Sequence, residues 1–288
     1  MSDTSQQPVI VGTDGSPASN AAVVWAADEA LREGRPLRIV HVQEPWTLGL
    51  PDIPPPMADE ARSVEAREIL EEAAALASQG RPELAVETEN IQGETVRALR
   101  LIAEQGGELV LGSRGRGRFA ELLLGSTTLR VAGHAVRPVV VVRGAPASRR
   151  GEIVVGVAFD HDPTGPLTYA FEAARRRGSR LRALHAWDVT DTFARQAEED
   201  PSFVDPLDRL TEMLELWRSR YPDVKVAEEV VNEHPASTLT DASAGADLLV
   251  VGTHGRSTLG GLLLGSVGHA VLHHSQSPVA VIRQSKKN

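Results

Sequence analysis

Apolar residues in this chain fall into two kinds of run that take turns. Short, almost continuous aliphatic blocks alternate with longer segments in which Ala, Leu, Val and Ile recur every three or four positions between charged residues. The first kind has the length and β-branched content of strands covered on both faces; the second has the period of helices packed along one side. The pattern predicts a strand ending at Thr13, a helix over 18–33 stopped by Gly34, and a strand over 37–42. The Asp14-Gly15-Ser16-Pro17 turn is a helix-start signal. A loop follows over 49–56, rich in proline. Then come a helix over 58–79 with Val64, Ile69, Leu70 and Leu76 toward the core, a strand over 84–91 and a helix over 94–105. The set closes with a strand over 109–111, a helix over 126–136 and a strand over 139–142.

The order then repeats. Strands are predicted at 153–157, 181–186, 224–231, 248–251 and 279–282, and helices at 166–177, 206–220, 235–244 and 266–274. Alternating strands and helices imply parallel pairing through right-handed crossovers, so each half is an α/β, doubly wound domain. Gly144 to Gly151, GAPASRRG, has nothing to bury and marks the boundary, which gives domains over 1–144 and 151–288. In sheets of this kind ligands sit beyond the carboxyl ends of the strands, where the winding reverses.

The densest local pattern lies at that end of the fourth strand. Leu109-Val110-Leu111 runs into Gly112 and Gly115, and Gly125 and Ser126 open the next helical segment. Glycines after a strand let a backbone or a bulky anion come close, and the free N–H groups of a helix start favour negative charge. The same arrangement returns 140 residues later as Gly252, Gly255, Gly265 and Ser266. This G-x-x-G followed by G-(S/T), present twice in register, resembles the ATP-binding pattern of the universal stress protein family, and the resemblance covers nearly the whole chain. It implies two tandem five-stranded parallel sheets of order 3-2-1-4-5, with Asp14 and Gly112 across one crevice. ATP is the implied ligand, with or without Mg2+.

Carried over residue by residue, the resemblance puts Gly12, Thr13 and Asp14 at the adenosine end, with the Asp14 carboxylate accepting from ribose hydroxyls. Val42 offers its backbone to adenine. Gly112, Arg114 and Gly115 line the phosphate turn, and Gly125, Ser126 and Thr127 the helix start. Gly252, His254, Gly255, Gly265, Ser266 and Val267 are the second-half equivalents. Aligning Gly34 with Gly178 and His41 with His185 places Ala158 where the first half has Asp14. The carboxylate is gone there, with Asp160 and Asp162 as candidates to replace it from a shifted turn.

Other chemistries fit less well. Neither G-x-x-x-x-G-K-(S/T) nor G-x-G-x-x-G occurs, which argues against Walker and dinucleotide sites. Cysteine is absent, so thiolate catalysis, disulfides and Cys-held metals are excluded. His269 and His273 sit one helical turn apart, but two histidines without a third ligand make a poor metal site. Both halves are acidic within a net charge of −9, against a nucleic-acid footprint despite Arg114, Arg116 and Arg118. No apolar run has the length of a membrane span, so the expectation is a cytoplasmic protein without a membrane partner.

The favoured reading is an ATP-binding stress-response regulator, non-enzymatic or weakly hydrolytic, acting through nucleotide occupancy. The alternatives are an ATPase or adenylyl-transfer enzyme of the adenine nucleotide α-hydrolase-like group, and an assembly module without nucleotide. The apolar fifth strands, Val139–Val142 and Val279–Ile282, are expected to pair and make the chain a pseudo-dimer, open to further homo-oligomerisation.

Overall fold

The computed structural model describes residues 7–44, 55–115, 124–143, 150–187, 205–253 and 264–284. Contacts divide the chain into two units, Met1–Pro146 and Ala147–Asn288.

In the first unit the elements are β1 (Val9–Gly12), α1 (Pro17–Glu33), β2 (Leu37–Gln43), α2 (Pro55–Ser78), β3 (Val86–Gln92), α3 (Thr95–Ala103), β4 (Glu108–Gly112), α4 (Ser126–His134) and β5 (Val139–Val142). Every pairing is parallel and the order is β3-β2-β1-β4-β5, so the winding reverses between β1 and β4. The aliphatic blocks are the inner strands: β1 and β4 are buried along their whole length. β3, with the sequence VETENIQ, is the outer strand and largely exposed, and its charges discourage a further strand from adding there.

The helices begin and end where local chemistry dictates. Ser16 caps α1 by accepting from the Ser19 N–H at 3.2 Å, Pro17 opens the helix, and Gly34 closes it at φ 65°. The buried stripe of α2 is Ala66, Ile69, Leu70, Ala73 and Ala77. Val64, expected in the core, is 49% exposed. It lies on the opposite side of the helix from this alanine-rich stripe, which is narrow enough to pack close to the sheet.

The second unit repeats the plan with β6 (Glu152–Gly156), α5 (Thr164–Arg177), β7 (Arg180–Ala186), α6 (Pro206–Arg220), β8 (Val226–Val231), α7 (Pro235–Ser243), β9 (Leu248–Gly252), α8 (Ser266–His274) and β10 (Val279–Ile282). Its order is β8-β7-β6-β9-β10, again all parallel. Both third strands start two residues later than expected, because Leu84 and Val224 close turns by donating to the carbonyls of Arg81 and Tyr221. α2 starts within the expected proline-rich loop, and α3, α4 and α7 end slightly early. Most of the proline-rich loop and of the predicted connector lies outside the described residues.

Candidate functional site

Strand β1 stops at Gly12, and the chain enters α1 through a turn whose polar groups bond one another. Asp14 Oδ1 accepts from the Ser16 N–H at 3.1 Å, and Thr13 Oγ1 accepts from the Gly15 N–H at 3.2 Å. The Thr13 and Ser19 hydroxyls lie 3.1 Å apart, and Ser19 Oγ donates to the Ser16 carbonyl. Glycine is required at position 15, where φ is 75°. From β2, His41 Nδ1 sits 2.9 Å from the Thr13 carbonyl and donates to it. The turn is thereby fixed at both ends, and with it the Asp14 carboxylate.

Asp14 reaches across to the loop after β4. A methyl group built on Gly115 would lie 2.5 Å from Asp14 Oδ2, so only hydrogen separates the Gly115 backbone from the carboxylate. This is the switch point of the sheet, since β1 and β4 are neighbours. Val42 stands beyond the last β1 residue paired to β2, because the register ends at Gly12 and Val40. Val40 O accepts from the Thr13 N–H and Gln43 O from the Gly93 N–H. Backbone groups alternate sides along a strand in a parallel ladder, so Val42 turns its N–H and C=O toward the β1 side of the mouth.

The glycines of the motif divide into two classes. A Cβ on Gly112 would come within 2.7 Å of the Ala18 backbone, and one on Gly12 within 2.7 Å of the Leu111 side chain. Gly112 therefore serves the approach of the first turn of α1 to β4; its open side faces backbone, not the Asp14 carboxylate across a crevice. Gly125 is different. Its φ is −74°, and a Cβ there would meet Arg114 Cα, Ser113 O and Gly115 N at 3.6–3.9 Å, which is ordinary contact. Neither conformation nor crowding demands glycine at this position. The Gly125 N–H donates to Ser113 O at 2.8 Å, which ties the head of α4 to the end of β4.

Gly125, and not Ser126, is the N-cap of α4, and no side chain caps the helix. Thr128, a natural capping type, donates instead to the Gly112 carbonyl at 2.9 Å. The first N–H groups of α4 are thus not spent on a side-chain cap, beside Gly115 and an exposed Ser126. Arg114 is exposed at the same mouth. Arg143, which sequence reasoning did not single out, follows β5; burial and the nearby positive charge of Arg114 both lower its pKa. Two guanidinium groups therefore lie near enough to feel each other's charge at the phosphate turn. The only signal in the sequence was a cation directly after the last strand. Arg116 and Arg118 lie outside the described residues.

The second unit keeps the frame and changes the contents. His185 Nδ1 donates to the Val157 carbonyl at 2.8 Å, as His41 does to Thr13. Gly178 closes its helix at φ 62°, as Gly34 does at 65°. Gly265 repeats Gly125, donating to Thr253 O at 2.9 Å at the head of an uncapped helix. Ser266 is exposed and Val267 half-buried, while His254 and Gly255 lie outside the described residues. At the end of β6, however, Ala158 brings no carboxylate. Asp160 is bonded to His161 at 2.9 Å and Asp162 accepts from the Thr164 N–H at 3.0 Å, so both acids are engaged within their own turn. Among the described residues no group of three metal-ligating side chains occurs, and no helix is long and apolar enough to cross a membrane.

The family model of the universal stress protein family matches residues 6–143 and again 150–283. The chain belongs to the universal stress protein family. Universal stress protein Rv2005c of Mycobacterium tuberculosis is 38% identical over 97% of this chain and 98% of its own length. A universal stress protein of Mycolicibacterium smegmatis is 36% identical over 96% of each. These universal stress proteins match the chain through both halves. The crystal structure of a universal stress protein from Archaeoglobus fulgidus superposes with a TM-score of 0.75 over 99% of each chain at 21% identity, which shows the shared fold.

Proposed function

We propose that the first unit binds ATP in the crevice between β1 and β4 and that the protein acts as a regulator through the occupancy of that site. The observation that carries this reading is the placement of Asp14. Its own turn holds the carboxylate at 3.1 Å from the Ser16 N–H, and the free edge of Gly115 lies against its second oxygen. A carboxylate in that position accepts from ribose hydroxyls, and such a bond to a charged group is worth about 1.5–3 kcal/mol. The Val42 backbone edge suits a base. The uncapped start of α4, with Gly125 kept small where the fold does not require it, suits a phosphate chain. Arg114 and Arg143 add positive potential there.

Nothing in this arrangement commits the bound nucleotide to turnover, and occupancy alone changes the charge and order of the crevice mouth. Mass spectrometry of the denatured, purified protein tests the proposal. ATP, ADP or AMP should co-purify with the parent and be lost from Asp14→Ala. Steady conversion of added ATP to ADP or AMP would favour the enzymatic alternative. A parent that neither retains nor takes up adenine nucleotide would refute the proposal and leave the assembly module.

A further inference from the structure

In the second unit the residue aligned with Gly15 is Phe159. Its ring stacks on His185 with centroids 3.8 Å apart and planes inclined by 22°. The Arg209 guanidinium covers the ring at 4.7 Å and donates to the Phe159 carbonyl at 3.1 Å. An aromatic ring held between an imidazole and a guanidinium is what a stacked nucleobase would look like in that place. In the first unit the corresponding turn has no side chain at Gly15. Ile69, which stands 140 positions before Arg209, packs there against the glycine.

A second difference lies where the leading helix meets the fourth strand. In the first unit the face of Gly112 is covered by the α1 backbone at Ala18. On Gly252 that place is taken by the carboxamide of Gln284, which a Cβ on the glycine would overlap. Gln284 is buried, donates through Nε2 to the Asp162 carbonyl at 3.3 Å, and donates through its backbone N–H to Thr253 Oγ1. The side chain therefore stands between β9 and the turn leading into α5. Its Oε1 has no hydrogen-bond partner, so the group is held there by fit and by a single donated bond. The residue 140 positions earlier is Gly144, which has no side chain to place.

We infer that the second unit is a self-occupied copy of the first, with Phe159 seated in the nucleoside position, so that the chain takes up one adenine nucleotide and not two. The inference rests on the reading of the first crevice proposed above. It goes beyond the missing carboxylate at Ala158: a lost acceptor weakens a site, whereas a ring inside it closes it.

Titration calorimetry with ATP on the full chain, with photolabelling by 8-azido-ATP and peptide mapping, tests it. The expected result is one site per chain, with all label within Met1–Pro146, and no site after Gly125→Val. In that Gly125→Val background, adding Phe159→Gly should open a second site at least ten-fold weaker than the parental one, while Phe159→Leu should keep it closed. Two sites in the parent, label in Ala147–Asn288, or no binding by a folded opened variant would overturn the inference while leaving the first crevice intact. No site in the parent would overturn the first-crevice reading and this inference together. The parental count and label map need no substitution, so they decide the matter even where the opened variant fails to fold.

Discussion

Replacing Gly112, Gly115 and Gly125 by alanine, one at a time, should separate what the motif does for folding from what it does for binding. A Cβ at Gly112 would stand 2.7 Å from Ala18 C and O and 2.8 Å from Ser19 N. These are backbone atoms in the first turn of a helix and cannot step aside alone. Overpacking of this kind costs about 1–3 kcal/mol, or roughly 2–4 °C of melting temperature per kcal/mol for a domain of this size. At Gly115 the obstacle is a side-chain atom, Asp14 Oδ2 at 2.5 Å, which must retreat about 0.9 Å to reach ordinary contact at 3.4 Å. Stability should hardly change, because the residue is exposed and its backbone is not left-handed. Affinity for ATP should fall about ten- to hundred-fold as the carboxylate leaves its place. At Gly125 the new methyl meets nothing closer than 3.6 Å, so the fold should tolerate it at a cost below about 1 kcal/mol while the phosphate seat narrows. Thermal unfolding and titration calorimetry on the three variants read both quantities. The reasoning fails if Gly112→Ala melts with the parent, or if Gly115→Ala and Gly125→Ala bind ATP with parental affinity.

Asp14→Asn keeps an acceptor for the Ser16 N–H and should weaken ATP binding at least ten-fold with little loss of melting temperature, whereas Asp14→Ala should add a stability loss of about 1 kcal/mol; equal affinities in parent and Asp14→Asn would refute the carboxylate's role. His185 has its pKa lowered, chiefly by burial, against the bond to the Val157 carbonyl that raises it. The folded state thus binds its proton less readily than the unfolded chain, and this contribution to stability is present above the unfolded value near 6.5 and lost as pH falls through the depressed folded one. Denaturant titrations from pH 7.5 to 5 should show the parent losing more stability than His185→Gln, and identical slopes would exclude the effect. Val141→Lys tests the expected pairing of the fifth strands: it should split or aggregate the protein, and unchanged hydrodynamic size and thermal stability would place any interface elsewhere.

Most of the fold could be read from the chain because its strands are aliphatic blocks and its helices carry their own start and stop residues. Ser16, Pro17 and Gly34 mark α1 without reference to anything distant. Val64 could not be assigned by counting apolar residues, because the packed stripe of α2 is built largely from alanine, which pattern reading discounts against valine. The motif glycines were visible as a set, but their division was not. Whether a glycine makes room for Ala18 or for a ligand depends on which backbone arrives opposite it, and that is a tertiary fact. The missing acid at Ala158 was legible from alignment of the two halves. Phe159 and Gln284 were not, since their effect lies in where their side chains meet His185, Arg209 and Gly252.

The shared frame of the two units, with different residues at equivalent places, also bears on heredity. Two identical subunits are encoded once, so a bulky residue at the position of Gly15 would appear in both and silence both. Here the equivalent positions are encoded separately, and phenylalanine at 159 leaves glycine at 15 untouched. A tandem gene can therefore break its own symmetry one codon at a time, keeping one copy under selection for its ligand and releasing the other to be selected for its fold.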